Sequence, residues 1–151
     1  MHIWVDADAC PRVIKEILFR AADRLQVQVT LVANKLLHTP RSPFVDALQV
    51  AHGFDVADSE IVRRVQPGDL VISADIPLAA LVVEKGGYVI DPRGQILDAD
   101  NIQERLSLRN FMDELRGAGV DTGGPAAIGH KDRTAFANQL ERFLSAHRAG
   151  R

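Results

Sequence analysis

Short apolar runs alternate with helical patterns up to residue 91, and this alternation constrains the fold more than any other feature of the sequence. The apolar, β-prone runs are Ile3–Val5, Val27–Val32, Leu70–Ile72 and Tyr88–Ile90. Between them, apolar residues recur every three or four positions, and Pro11 and Pro77 suit the first turns of two helices. We therefore predict an α/β fold with a central, mostly parallel sheet flanked by helices on both faces.

Length and composition fit a protein with one core. The chain has 151 residues, of which 46% are hydrophobic, so we predict a single domain over residues 1–151. From about residue 100 the pattern becomes purely helical. The first of these helices would turn its apolar side inward, with Ile102, Leu106, Phe111 and Leu115. The last helix would bury Phe136, Leu140, Phe143 and Leu144. The segment "FVDALQVA" fits a strand or a short helix, and residues 34–43 read as a loop.

Several classes of protein are disfavoured by composition. Cys10 is the only cysteine, so no intrachain disulfide forms. The sequence opens without a secretory signal pattern and has no apolar run of the roughly 18 residues that span a bilayer. We expect a cytoplasmic protein without a membrane partner. The net charge of −2 gives no global electrostatic reason for binding nucleic acid.

Acidic residues stand where predicted strands end. Asp6 and Asp8 follow the first strand, and Asp75 follows Leu70–Ile72, each shortly before a proline-opened helix. Asp58, at the start of another predicted helix, would lean over the same sheet edge. Parallel neighbours place their carboxyl ends together, which is where α/β sheets bind ligands. Clustered carboxylates raise one another's pKa, and Mg²⁺ or Mn²⁺ relieves that repulsion. We predict that Asp6, Asp8, Asp58 and Asp75 hold such an ion.

Each acid also has a simpler interpretation. Asp6, Asp8 and Asp58 could each cap a helix, which is worth about 1 kcal/mol. Asp69, directly after Pro67-Gly68, is expected to be a turn residue. Cys10 reads as a small packed residue and Trp4 as part of the core.

Five segments carry a family resemblance that covers nearly the whole chain in the same order. They are "VDADACP", "GDLVISADIPLAALVVEKGGYVIDPRG", "DNIQERLSLRNFMDELR", "TGGPAAIGHKDRTAF" and "NQLERFL". In these segments the chain resembles the bacterial YaiI/YqxD family, also called UPF0178 or DUF188.

The resemblance implies a fold and a set of site residues rather than a reaction. The family looks like a member of the PIN-like nuclease assemblage, so it implies a three-layer PIN-like fold with C-terminal helices. Those proteins carry an early strand-end acid, a middle acid and an acid after a later strand, and Asp6, Asp58 and Asp75 match these positions. For the further C-terminal acid of many PIN nucleases, the positions available are Asp91 and Asp100.

Other residues are candidates for substrate binding. Asn34 follows the second strand and would reach the same edge, and Arg105, Arg109 and Arg116 recur along one helix. Guanidinium groups bind phosphate well. The backbone of Thr122–Pro125 ("TGGP") could approach an anion closely. Two cations beside the last helix, Lys131 and Arg133, would hold a nucleic-acid backbone.

Three functions compete on these grounds. The first is a metal-dependent nuclease acting on RNA or single-stranded DNA. The second is a phosphatase of the haloacid dehalogenase type, in which Asp6 would be the nucleophile and Asp8 the second acid of the Asp-x-Asp pair. Cys10 stands where those enzymes usually carry Thr or Val. The third is a PIN-like domain that binds RNA or a protein without catalysis.

Overall fold

The computed structural model describes residues 1–53, 55–120 and 127–149. Within these residues the chain forms six strands: β1 (His2–Asp6), β2 (Gln28–Ala33), β3 (Val45–Gln49), β4 (Leu70–Ile72), β5 (Tyr88–Ile90) and β6 (Ile96–Leu97). The same residues form five helices: α1 (Arg12–Leu25), α2 (Val56–Arg64), α3 (Ile76–Glu84), α4 (Ile102–Gly117) and α5 (His130–Ala149).

The strands form one sheet in the order β3-β2-β1-β4-β5-β6. All neighbours are parallel except β5 and β6. In the centre of the sheet, Trp4 of β1 lies level with Thr30 of β2 and Val71 of β4. Helices cover both faces, so the predicted three-layer α/β architecture with C-terminal helices is confirmed.

Successive residues of β1 point to opposite faces, and this separates two cores. Ile3 and Val5 pack with α1 and with the four residues predicted to face inward from the last helix, Phe136, Leu140, Phe143 and Leu144. Trp4, on the other face, packs with α2, α3 and Ile102 of α4. Asp6 has the same parity as Trp4, so its carboxylate is directed toward the layer of α2 and α3.

The alternation of strand and helix first breaks between β2 and β3. "FVDALQVA" contains strand β3, which pairs in parallel with β2 although only loop residues 34–44 connect them. Parallel neighbours are usually joined through a helix. Here β3 is the edge of the sheet, and a loop that closes over α1 suffices. The short antiparallel strand β6 was not predicted, since two residues carry no periodicity.

The predicted inward side of α4 is wrong at Phe111. Its side chain is 55% exposed, and Ile102 is the buried residue of this helix. Leu106 and Leu115 are half-buried. Burial therefore differs along the apolar side of α4: Ile102 joins the core with Trp4, and Phe111 does not.

Asp69 does more than form a turn. The residue is buried, and its carboxylate accepts hydrogen bonds from the backbone N–H of His2 at 3.0 Å, the indole Nε1 of Trp4 at 3.1 Å and the backbone N–H of Gln66 at 3.0 Å. These bonds join β1 to the turn before β4. They lie at the amino ends of the strands, away from the other acids. No helix in the described part of the chain has the length and apolar character needed to cross a membrane.

Candidate functional site

The acids meet at the point where the sheet changes winding direction. β1 and β4 are neighbours, and the helices that follow them, α1 and α3, cover opposite faces. A crevice therefore opens at the carboxyl ends of these two strands. Asp6 is the last residue of β1, and Asp75 lies directly before α3. Asp58, in the first turn of α2, comes from the layer above them.

Ser73 links two of these acids, and the sequence interpretation missed it. Its hydroxyl donates to Oδ2 of Asp6 at 3.1 Å and accepts from the backbone N–H of Asp75 at 3.0 Å. The side chain is 2% exposed. The sequence did carry a signal for this residue. Ser73 directly follows the apolar run of β4 and precedes an acid by two positions. Because it lies two residues after Val71, its side chain points to the same face of the sheet.

Asp58 and Asp75 line the same groove, close enough for the charge of Asp75 to act on Asp58. Burial raises the pKa of Asp58 to about 7, and the negative charge of Asp75 adds to this. Burial also raises the pKa of Asp6, with the charges of Asp75 and Asp8 acting in the same direction and the Ser73 hydroxyl opposing them. Two carboxylates so close together retain a proton or attract a cation.

Capping explains only one of the acids. Asp75 is the N-cap of α3, with Oδ1 accepting from the Leu78 N–H at 3.0 Å. The cap position of α1 is Pro11 and that of α2 is Asp55, which has a positive φ of 62°, and neither makes a side-chain cap bond. The capping interpretation is therefore wrong for Asp6, Asp8 and Asp58, because other residues occupy the cap positions.

Asp8 turns away from the pair toward the β2–β3 loop. Its Oδ2 accepts from the backbone N–H of Asn34 at 2.8 Å, so the predicted residue Asn34 contributes its backbone here. Among the described residues, no three His, Cys, Asp or Glu side chains are grouped so that they could hold a metal ion together. The donor set fits an ion of the Mg²⁺ type, which takes one or two carboxylates and keeps several waters.

A groove of about 510 Å³ runs from the Asp58–Asp75 pair toward α4. Val62, Leu78 and Leu81 form its apolar wall, and Arg63 and Arg109 lie on its rim. Of the arginines predicted to bind phosphate, Arg109 reaches this groove and donates to Asp113 at 3.1 Å. Arg105 donates to Gln95 at 2.9 Å, and Arg116 also bonds Asp113.

Other predicted residues lie elsewhere. Lys131 and Arg133, both exposed, stand in the first turn of α5, where Arg133 borders a shallow recess beside α1. Asp91 is buried and closes a turn by accepting from the N–H groups of Arg93 and Gln95, while Asp100 is exposed before α4. Thr122–Pro125 lie outside the described residues.

Cys10 is a packed residue, as predicted. Burial raises the pKa of its thiol to about 12, so it is protonated at neutral pH. A thiol in this state is not a nucleophile.

Comparisons with known proteins identify relatives along almost the entire chain. The family model described as uncharacterised BCR, YaiI/YqxD family (DUF188), matches residues 4–146. A UPF0178 protein of Janthinobacterium sp. (strain Marseille) is 67% identical over 149 residues, which cover 99% of both chains. Another, from Herminiimonas arsenicoxydans, is 68% identical over 145 residues, or 96% of this chain and 97% of the relative. No solved structure matches the chain significantly.

Proposed function

The chain belongs to the YaiI/YqxD family, DUF188, and from the carboxyl groups at its sheet edge we propose that it is a metal-dependent nuclease. Its substrates would be phosphodiester bonds of RNA or single-stranded DNA. The observation that carries the proposal is the grouping of acids at this edge: Asp58 and Asp75 line one groove, and Ser73 joins Asp75 to Asp6. Acids that repel one another are a cost to folding, and they are expected where chemistry needs them.

Each residue at the edge has a role in this proposal. Asp58 and Asp75, which line the same groove, would supply two carboxylates to Mg²⁺ or Mn²⁺, with water completing its coordination. Asp6 and Asp8 would add negative charge from the end of β1 and the turn that follows it. The ion supplies positive charge that offsets these carboxylates and the charge of a phosphate. Ser73 positions the carboxylate of Asp6 through its 3.1 Å hydrogen bond. Arg109, on the rim of the groove, would bind a phosphate of the substrate.

The pKa of Asp58 suits a proton-transfer role. A group with a pKa of about 7 is present in both protonation states at neutral pH. A divalent ion bound to this carboxylate would displace the proton and lower the pKa, so a proton-transfer role for Asp58 applies only while no ion is bound to it. The similarity to PIN-like nucleases, where acids at the positions of Asp6, Asp58 and Asp75 form the site, adds to the support.

The phosphatase alternative has less support. It makes Asp6 the nucleophile and Asp8 the second acid, but the buried Cys10 stands where those enzymes usually carry Thr or Val. Among the described residues, those that line the groove beside the acids include two arginines and no lysine.

The test is cleavage of labelled RNA and single-stranded DNA in Mn²⁺, with and without a chelator. We expect wild-type cleavage that the chelator stops and that Asp6→Asn and Asp58→Asn each reduce by at least about a hundredfold. Glu84→Gln is the matched control, since it removes one exposed carboxylate at the far end of α3. Calorimetry with Mn²⁺ accompanies the assay.

The outcomes separate the three functions. Cleavage that survives Asp58→Asn contradicts the proposed site. Tight binding of RNA without any cleavage would favour the non-catalytic domain. A phosphoryl group trapped on Asp6 would favour the phosphatase.

A further inference from the structure

A second groove, of about 660 Å³, lies between α1 and the β2–β3 loop. We propose that this groove binds the backbone of a single-stranded nucleic acid and leads it to the acidic edge. The inference rests on the proposed nuclease function and adds the surface that holds the substrate. Arg12, Lys15 and His38 line the groove, together with the apolar side chains of Phe19 and Leu37.

The groove opens beside the acids. Arg12 begins α1, directly after the turn that carries Asp8. The hydrogen bond from the Asn34 N–H to Asp8 joins that turn to the first residue of the β2–β3 loop. Both walls of the groove therefore start near the carboxyl ends of β1 and β2. A strand lying in it would pass over this end of the sheet to reach Asp6, whose carboxylate is directed toward the layer of α2 and α3.

Its charge differs from that of the groove beside α4. The described residues that line the groove beside α1 include two cations, Arg12 and Lys15, and one acid, Glu16. The Arg12 side chain is 92% exposed, with its Nε 3.5 Å from the Glu16 carboxylate. An exposed pair of this kind is worth little, so a phosphate can take the place of Glu16. The loop adds two further exposed cations, Lys35 and Arg41.

The groove beside α4 suits a phosphate chain less well. Its described lining holds three carboxylates, those of Asp55, Asp58 and Asp75, against two guanidinium groups. Both guanidinium groups are already bonded to acids: Arg63 to Glu60, and Arg109 to Asp113. The three carboxylates therefore disfavour a chain of phosphates along this groove, where Arg109 would bind a single phosphate, and the groove beside α1 favours the rest of the strand.

The apolar wall selects for single strands. Phe19 and Leu37 are half-buried, and each leaves part of its side chain facing the groove. Unpaired bases have free faces that stack on aromatic and apolar side chains, whereas a duplex hides these faces. Cations for phosphates beside an aromatic ring for bases are the usual combination in single-strand binding.

The experiment measures binding without catalysis. Fluorescence anisotropy would follow labelled oligo-uridine, oligo-thymidine and a duplex, each of about twelve nucleotides per strand, which fits the usual site size. EDTA is present, and the salt runs from about 50 to 200 mM. The test variant is Arg12→Gln/Lys15→Gln. The control is Arg24→Gln/Lys85→Gln, which removes two cations near the ends of α1 and α3, at the opposite edge of the sheet.

We expect the test variant to bind single strands at least about tenfold more weakly at low salt, and the control to bind like wild type. Loss of two phosphate contacts would lower the slope of log affinity against log salt by about 1.4. The ratio of uridine to thymidine binding identifies whether the groove takes RNA or DNA.

Three results would overturn the inference: no binding by the wild type, equal weakening in test and control variants, or tighter binding of the duplex. The proposed function fails separately. If the test variant loses binding and the wild type never cleaves, the proposed binding groove is supported and the proposed nuclease function is contradicted. If Asp58→Asn abolishes cleavage while Arg12→Gln/Lys15→Gln binds and cleaves like wild type, the proposed nuclease function is supported and the proposed binding groove is contradicted.

Discussion

Replacing Asp58 by asparagine should make the protein more stable above neutral pH. In the folded protein, burial and the charge of Asp75 raise the pKa of Asp58 from its ordinary 3.8 to about 7. Between these values the folded chain holds a proton that the unfolded chain has released. Stability must therefore fall as pH rises through this window. An asparagine at this position would keep the shape of the side chain and carry no charge at any pH.

The size of the effect follows from the shift. A change of one in pKa corresponds to about 1.4 kcal/mol, so a rise from 3.8 to about 7 would change the free energy of unfolding by about 4 kcal/mol if water did not screen the charges. Asp58 is only partly buried, and screening by water reduces this to roughly 1–2 kcal/mol. We expect Asp58→Asn to gain that much in the free energy of unfolding at pH 8, and little at pH 4.5.

The assay is urea unfolding followed by circular dichroism at several pH values, in EDTA. The quantity to compare is the difference in the free energy of unfolding between variant and wild type at each pH. The contributions of other titrating groups cancel in this difference. His2 is one such group: burial lowers its pKa, so its contribution rises with pH, opposite to that of Asp58. Glu84→Gln should give a flat difference. A flat difference for Asp58→Asn as well, or one that grows toward acid, would refute the argument.

Two further predictions concern stability away from the acids. Asp69→Ala should lower the free energy of unfolding by about 3 kcal/mol in urea titrations, because it leaves the indole N–H of Trp4 and two backbone donors without their acceptor. Asp69→Asn, which keeps one oxygen, should lose about half as much, and equal losses would count against the hydrogen bonds as the cause. Gly94→Ala should lower the same free energy by about 2–3 kcal/mol, since φ is +87° and a Cβ would lie 2.7 Å from the backbone of Ala135. An unchanged unfolding midpoint for Gly94→Ala would show that the turn and α5 are not packed as described.

The parts of the fold that could be predicted are those with a repeated physical signal. The apolar runs before Asp6 and Asp75 indicated neighbouring parallel strands, and the order of strands and helices indicated three layers. The structure places Asp6, Asp58 and Asp75 together through this topology. The periodic pattern of α1 likewise gave an end near Leu25, where the helix ends.

The parts that could not be predicted depend on partners distant in sequence. The pattern of α4 indicates an apolar side, but it does not tell which of its residues reach the core: Ile102 is buried and Phe111 is exposed. The position of Ser73 after β4 was a usable signal, but its partner Asp6 lies 67 positions away in the sequence. Asp69 resembled a turn residue because its contacts with His2 and Trp4 span more than sixty positions.

The strand order also has a consequence for synthesis on the ribosome. β1 emerges first yet lies in the middle of the sheet, between β2 and β4. β2 can pair with it early, and β3 with β2, but the other edge of β1 stays open until residues 69–72 have left the exit tunnel. Until then the backbone of β1 presents free hydrogen-bonding groups to any other extended chain. The same late arrival of β4 brings Ser73 and Asp75 to Asp6. A nascent chain therefore acquires its acidic site at the moment it closes its aggregation-prone edge, and an incomplete chain has neither.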